Sequence, residues 1–176
     1  MSTPVVRVQD LSFRYGEGDF HLQIPELEVG RATSAAFIGP SGSGKTTLLH
    51  LIAGIALPQS GTIETNGVDV TGQSESARRA FRIKNIGLVF QEFELLEYLS
   101  VLDNVLLPYR INPALELTDR VHQRARTLAE QVGIEDKLGR YPRQLSQGER
   151  QRVAVCRAVL TGIHGRRADR KPGSAQ

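Results

Sequence analysis

The distribution of apolar positions divides the chain into two kinds of pattern. VVRVQDLSFRY (Val5–Tyr15) is rich in β-branched and aromatic residues, and HLQIPELEV (His21–Val29) alternates apolar and polar on either side of Pro25. Both are predicted as strands with one buried face. TSAAFIG (Thr33–Gly39) and IGLVFQ (Ile86–Gln91) are short, nearly continuous apolar runs, the pattern of strands buried on both faces. Between them, Leu48, Leu49, Leu51, Ile52 and Ile55 have helical spacing, and Gly61–Val70 reads as a strand and turn around Asn66-Gly67. Beyond Gln91 the pattern becomes helical. Ser100 is placed to cap a helix over SVLDNVLLPY. Leu117, Val121, Ala125, Leu128 and Val132 recur at steps of three and four, one face of an amphipathic helix closed by Gly133. A third helix is predicted from Ser146 through Val153, Val155, Val159 and Leu160, and from Ile163 the periodicity stops. The expected fold class is therefore α/β, with an all-helical part following the strands.

Composition narrows the class. With 176 residues, 40% hydrophobic and 23% charged, the chain is long enough for one core and is neither disordered nor fibrous. A single cysteine, Cys156, excludes a disulfide scaffold, fits a reducing compartment and falls in an apolar run where it is expected to be packed. MSTPVVRVQD lacks the basic and apolar regions of a signal peptide, and no stretch is apolar for long enough to span a membrane. The net charge of +3 equals that of Arg166, Arg167, Arg170 and Lys171 against Asp169, so the rest of the chain sums to zero. Basicity therefore gives no support to a nucleic-acid partner. His21, His50, His122 and His164 show no metal-ligand spacing, and Arg78, Arg79, Arg82 and Lys84 read as a solvated face near a helix.

The chemistry concentrates in Gly39-Pro40-Ser41-Gly42-Ser43-Gly44-Lys45-Thr46, which fits G-x-x-x-x-G-K-[ST]. Polyphosphate is bound by many backbone N–H groups at once, and Gly39, Gly42 and Gly44 allow the dihedrals and the close approach this requires. The helix that follows presents its N-terminus to the anion. Lys45 supplies a point charge for the β- and γ-phosphates, and the Thr46 hydroxyl is a ligand for Mg²⁺. An apolar run before and a helical run after give the loop its expected context. The motif predicts a P-loop nucleotide site without saying which branch.

Three further features select the branch: Tyr15 at a strand-to-loop position, Gln91 closing an apolar run, and Leu145-Ser146-Gln147-Gly148-Glu149-Arg150-Gln151-Arg152 opening the third helix. With these, the sequence resembles the ATP-binding subunits of ABC transporters from about Val5 to about Thr161. Within that family it is similar to the lipoprotein-release and macrolide-export branch, through SGSGKTTLLHLIAG, IGLVFQEFELLEYLSVLDNVLLP and LSQGERQRVAVCRAVL. The resemblance implies a P-loop core with an antiparallel β section and an inserted helical subdomain. The implied domains are a nucleotide-binding core with β section over 1–91, a helical subdomain and signature helix over 92–161, and an aberrant, disordered tail over 162–176. ATP and Mg²⁺ are the implied cofactors, held by Tyr15 against adenine and by Gly39, Pro40, Ser41, Gly42, Ser43, Gly44, Lys45, Thr46 and Thr47 around the phosphates. Thr46 and Gln91 would approach the metal, and Gln91 would also act on the attacking water and sense the permease. Leu145, Ser146, Gln147, Gly148 and Glu149 would form the signature, in which Ser146 and Gly148 meet the ATP of a second ATP-binding subunit. A membrane permease is the other implied partner, which places the protein in the cytoplasm at the inner face of the cell membrane.

Other readings of the same residues stand beside these. Tyr15 alone is a core or surface aromatic, Gln91 a strand-end polar residue, and Ser146-x-x-Glu149 a helix capping box. Gln147 departs from the family's glycine, and its side chain would crowd the partner's nucleotide. The family pattern continues with an apolar strand ending in Asp and then a catalytic Glu, and neither is found in RRADRK. With permitted synonymous codons, Gly165–Gln176 read one base later gives ADEPTGNLDPH, which resembles that missing region. A frameshift or truncation before this strand is the expectation, and a non-hydrolysing nucleotide-binding remnant is an alternative function. A soluble, non-transport ABC ATPase is the other alternative, but residues 92–145 are too short a stretch for its coiled coil.

Overall fold

The computed structural model describes residues 3–16 and 19–162. Its contacts divide the chain into two compact units, Met1–Arg79 and Ala80–Gln176. The tail expected over 162–176, with its basic cluster and proposed frameshift, lies from residue 163 onward outside the described residues.

The first unit holds β1 (Val6–Arg14), β2 (His21–Val29), α1 (Lys45–Ile52), β3 (Ser60–Thr65) and β4 (Val68–Asp69). The strands form one antiparallel sheet in the order β2-β1-β3-β4. Alternation in β1 sends Val6, Val8, Leu11 and Phe13 into a core shared with Ile63 of β3 and Leu48 and Leu51 of α1. The run of buried positions changes phase between Val8 and Leu11 because β1 carries a bulge, with Asp10 at φ 49°. Opposite it, Gly61 has φ 87°, and a Cβ there would stand 2.4 Å from the Asp10 carbonyl oxygen. Pro25 is tolerated because β2 is the edge strand and the bulge leaves Pro25 out of the pairing register. Thr65 Oγ1 donates to the Ile52 carbonyl at 3.0 Å, satisfying the end of α1.

Helix α2 (Glu75–Asn85) has no buried residue and crosses the boundary between the units. The expected solvated face is met in part: Arg79 and Lys84 are exposed and Arg79 pairs with Glu75 one turn away, whereas Arg78 is part-buried, donates to the Gln73 carbonyl and buries its Nε without a partner.

The second unit packs α3 (Val101–Ile111), α4 (Asp119–Gln131) and α5 (Gln147–Gly162) around one core. The predicted caps at Ser100 and Gly133 are present, and Thr118 adds one at the start of α4. Ser100 Oγ accepts from the Asp103 amide at 3.1 Å, and Gly133 ends α4 with φ 69°. Cys156 is buried in this core, and burial pushes its thiol up to about 11. Asn104 of α3 is fully buried, with Oδ1 accepting from the Leu96 amide and Nδ2 donating to the Leu96, Leu99 and Ser100 carbonyls at 2.8–3.1 Å. One side chain thus satisfies the turn that enters α3. Asn104→Ala removes the partner of the Leu96 amide and the Leu99 carbonyl, at about 1–3 kcal/mol for each group left unsatisfied, while the Leu96 and Ser100 carbonyls keep the Leu99 and Asn104 amides. The variant is expected to shift the urea midpoint clearly downward; an unchanged midpoint would show that water satisfies these groups.

Two expectations are not met. Thr33–Gly39 and Ile86–Gln91 are not strands, and Ile38 is 94% exposed. Continuous apolar runs become buried strands only when neighbouring strands supply ladders on both sides. Among the described residues no strand pairs with either segment.

Candidate nucleotide-binding site

The glycine loop leads directly into α1. Gly42 has φ 80°, and Gly44, the residue capping α1, has φ 90° and ψ 9°. This left-handed pair folds the loop back over the helix start, where the first amides have no partner within the helix. The Ser43 amide donates to the Pro40 carbonyl at 3.3 Å, closing the turn. Lys45 curls into the loop: Nζ donates to the Gly39 and Pro40 carbonyls at 3.0 and 2.6 Å and lies 3.3 Å from Ser43 Oγ. A cation held by neutral carbonyls at the mouth of a helix N-terminus is an arrangement suited to an anion. Thr46 is exposed on the first turn of α1, whereas Thr47 is buried. Ser41 and Gly42 lie exposed at the loop's tip.

Tyr15 comes to the same end of the unit. Thr47 Oγ1 donates to the Tyr15 hydroxyl at 3.4 Å, and Tyr15 remains 51% exposed. Its ring packs edge-on to Phe13, with centroids 4.7 Å apart, and tilted against Phe20 at 5.9 Å. Phe20 also touches the loop: a Cβ on Gly44 would lie 2.9 Å from its Cζ and 3.2 Å from Leu22 Cδ1. Phe20 was not singled out in the sequence, because an aromatic at the start of an edge strand has no local signature.

The donor set fits a magnesium–nucleotide complex. The loop closes so tightly that a Cβ on Gly39 would stand 3.0 Å from Ser43 Oγ. The exposed Thr46 hydroxyl offers an oxygen ligand of the kind Mg²⁺ takes. Among the described residues no group of three or more His, Cys, Asp or Glu could hold a metal by itself.

Gln91 and the signature lie in the second unit. Gln91 is exposed and opens a turn in which Phe93 and Glu94 have φ 62° and 48°. At the start of α5, the Ser146 amide donates to Glu149 Oε2 at 2.7 Å and the Glu149 amide to Ser146 Oγ at 3.3 Å. The Ser146 amide, then its hydroxyl, holds the Glu149 carboxyl below the usual carboxylate range. The capping reading of Ser146-x-x-Glu149 is therefore realised, and both groups sit at an exposed helix start. Gly148 follows on the first turn, and Leu145 is buried in the helical core. Gln91, Glu92, Phe93, Gln147 and Arg150 line one concavity of about 420 Å³. The Gln147 side chain thus shares its surroundings with the Gln91 turn.

Sequence reasoning passed over Arg157. Its guanidinium, mid-way along α5, donates to the carbonyls of Phe93 and Glu94 at 2.5 and 2.7 Å. Burial pulls it below its ordinary value, and the Glu94 carboxylate acts in the opposite sense. Left-handed conformations at non-glycine residues cost of order 1–3 kcal/mol each. Hydrogen bonds from a charged donor contribute about 1.5–3 kcal/mol each. The two terms are of one size, so the guanidinium bonds can offset the strain of the turn.

Residues 22–164 match the model of a protein family described as ABC transporter. The chain belongs to the ABC transporter family. Among curated relatives of this ABC chain, the lipoprotein-releasing system ATP-binding protein LolD of Bordetella pertussis is 39% identical over 161 residues, covering 90% of this chain and 69% of that protein. LolD 1 of Rhodopirellula baltica is 42% identical, covering 87% of this chain and 67% of the relative. The ABC transporter ATP-binding protein YtrE of Bacillus subtilis is 35% identical, covering 94% and 73%. The dimeric post-hydrolysis structure of the ATP-binding cassette MJ0796 bound to ADP and Pi superposes with a TM-score of 0.78 at 28% identity, covering 89% of this chain and 69% of that one. The fold class is that of an ABC ATPase cassette, with its P-loop, antiparallel β section and helical part.

Proposed function

We propose that this cassette is the ATP-binding subunit of a LolD-like transporter, coupling ATP binding and hydrolysis to transport through a membrane permease. The observation that carries the reading is the loop of Gly42, Gly44 and Lys45 at the start of α1, built for polyphosphate. In this reading Tyr15 stacks on adenine, and Gly39–Thr47 hold the phosphates. Thr46 and Gln91 act at Mg²⁺, which when bound neutralises charge on the phosphates. Ser146 and Gly148 contact the ATP of a second subunit. The dimeric state of the MJ0796 structure with ADP and Pi supports this pairing. Among the described residues no helix is long and apolar enough to cross a membrane. A permease partner therefore supplies the spans, and the subunit is peripheral at the membrane's inner face.

Equilibrium dialysis with Mg-ATP and light scattering test the two halves of the reading. Saturable ATP binding, with copies pairing when nucleotide is bound, is expected. Absence of binding would remove the nucleotide assignment, and binding without pairing would remove the sandwich.

A further inference from the structure

Residues 86–94 are held to the signature helix at two adjacent positions. The Arg157 guanidinium bonds to the Phe93 and Glu94 carbonyls. One residue on, the Ala158 carbonyl lies against Gly87, where a Cβ would come within 2.2 Å of its oxygen. Gly87 is therefore needed for close approach of backbone to backbone. Arg157 acts differently, bonding the carbonyls of two successive residues in the left-handed region, two and three places after Gln91. The turn has weak bonds of its own: the Phe93 amide reaches the Phe90 carbonyl at 3.1 Å and the Glu94 amide the Glu92 carbonyl at 2.8 Å. Neither reaches beyond the turn, and the guanidinium is what hydrogen-bonds residues 93 and 94 to α5. The start of the same helix carries Ser146 and Gly148.

We infer that Arg157 is a positioning residue that locks the Gln91 turn to the signature helix, so that the two elements respond to nucleotide as one body. The link between them rests on the proposed reading of Gln91 and Ser146 as nucleotide-responsive; the lock itself does not. Arg157 touches neither Gln91 nor Ser146 directly and acts through the backbone of residues 93–94. A lysine cannot replace it fully, since an ammonium lacks the planar fork that addresses two adjacent carbonyls.

Amide hydrogen exchange on the whole chain tests this with Arg157→Met, which keeps the length and apolar stem of the side chain, and Arg157→Lys. Without nucleotide, Arg157→Met is expected to speed exchange at Phe93 and Glu94 roughly ten- to a hundredfold while residues 153–161 of α5 keep their protection. Arg157→Lys falls between Met and wild type. Unchanged exchange at 93–94, or equal loss of protection along all of α5, would overturn the lock. With Mg-ATP at saturation, the wild type is expected to change protection at 146–149 and 92–95 together, and Arg157→Met at 146–149 alone. Joint changes that persist in Arg157→Met would overturn the coupling. A wild type insensitive to ATP would defeat the proposed nucleotide function, with the lock still decided by the nucleotide-free result.

Discussion

Lys45→Ala is expected to weaken ATP binding by at least tenfold while leaving the melting curve of the chain almost unmoved. The ammonium is the only cationic side chain bonded into the glycine loop among the described residues, and its present acceptors are neutral carbonyls of Gly39 and Pro40. Phosphate oxygens carry charge and are the stronger acceptors. Each charge-assisted bond contributes about 1.5–3 kcal/mol, and every 1.4 kcal/mol is about a factor of ten in affinity. Stability responds differently. The loop is exposed, and no buried group is orphaned when Nζ is removed. The measurements are titration with a fluorescent ATP analogue and thermal unfolding of the same samples. Equal affinity in wild type and variant would remove the phosphate role of this loop.

The sequence makes the local features of this fold legible. Those that need distant partners are not. Ser100 and Gly133 mark helix ends because capping chemistry is decided within four residues. The alternation in β1 and β2 is equally local, and both strands form over nearly the predicted residues. Thr33–Gly39 and Ile86–Gln91 carry the composition of buried strands, yet composition cannot supply the neighbours that a ladder needs. Helix α2 is less legible for the opposite reason: its apolar side is only half-buried, with Ile83 against the helical core, and basic residues dominate its sequence.

The candidate site divides along the same line. Glycine spacing shows the phosphate loop because positive φ and the missing Cβ are properties of the glycines themselves. The capping box of Ser146 and Glu149 is visible for a similar reason. Phe20 and Arg157 are invisible in sequence, since each matters only through a contact made far along the chain. Arg157 bonds residues more than sixty positions away, and in the sequence it is one cation in an otherwise apolar helix face.

Gly44→Ala is expected to damage nucleotide binding as severely as loss of the lysine, through two separable causes. The first is conformational. Gly44 has φ 90°, and an L-residue held there is strained by roughly 1–3 kcal/mol, which the loop avoids by abandoning its closed form. The second is steric, since the new Cβ would stand 2.9 Å from Phe20 Cζ and 3.2 Å from Leu22 Cδ1. Both of those atoms end side chains that can shift, so the steric part is the smaller. Adding Phe20→Leu removes the ring and relieves that part only. The double variant is therefore expected to recover less than half of the lost binding free energy, with Phe20→Leu alone as the control for the ring's own contribution beside Tyr15. Isothermal titration with Mg-ATP on the three variants and the wild type separates the two causes. Full recovery in the double variant would mean that the loop tolerates alanine at this dihedral, and that the ring above it, rather than the left-handed backbone, is what requires glycine at position 44.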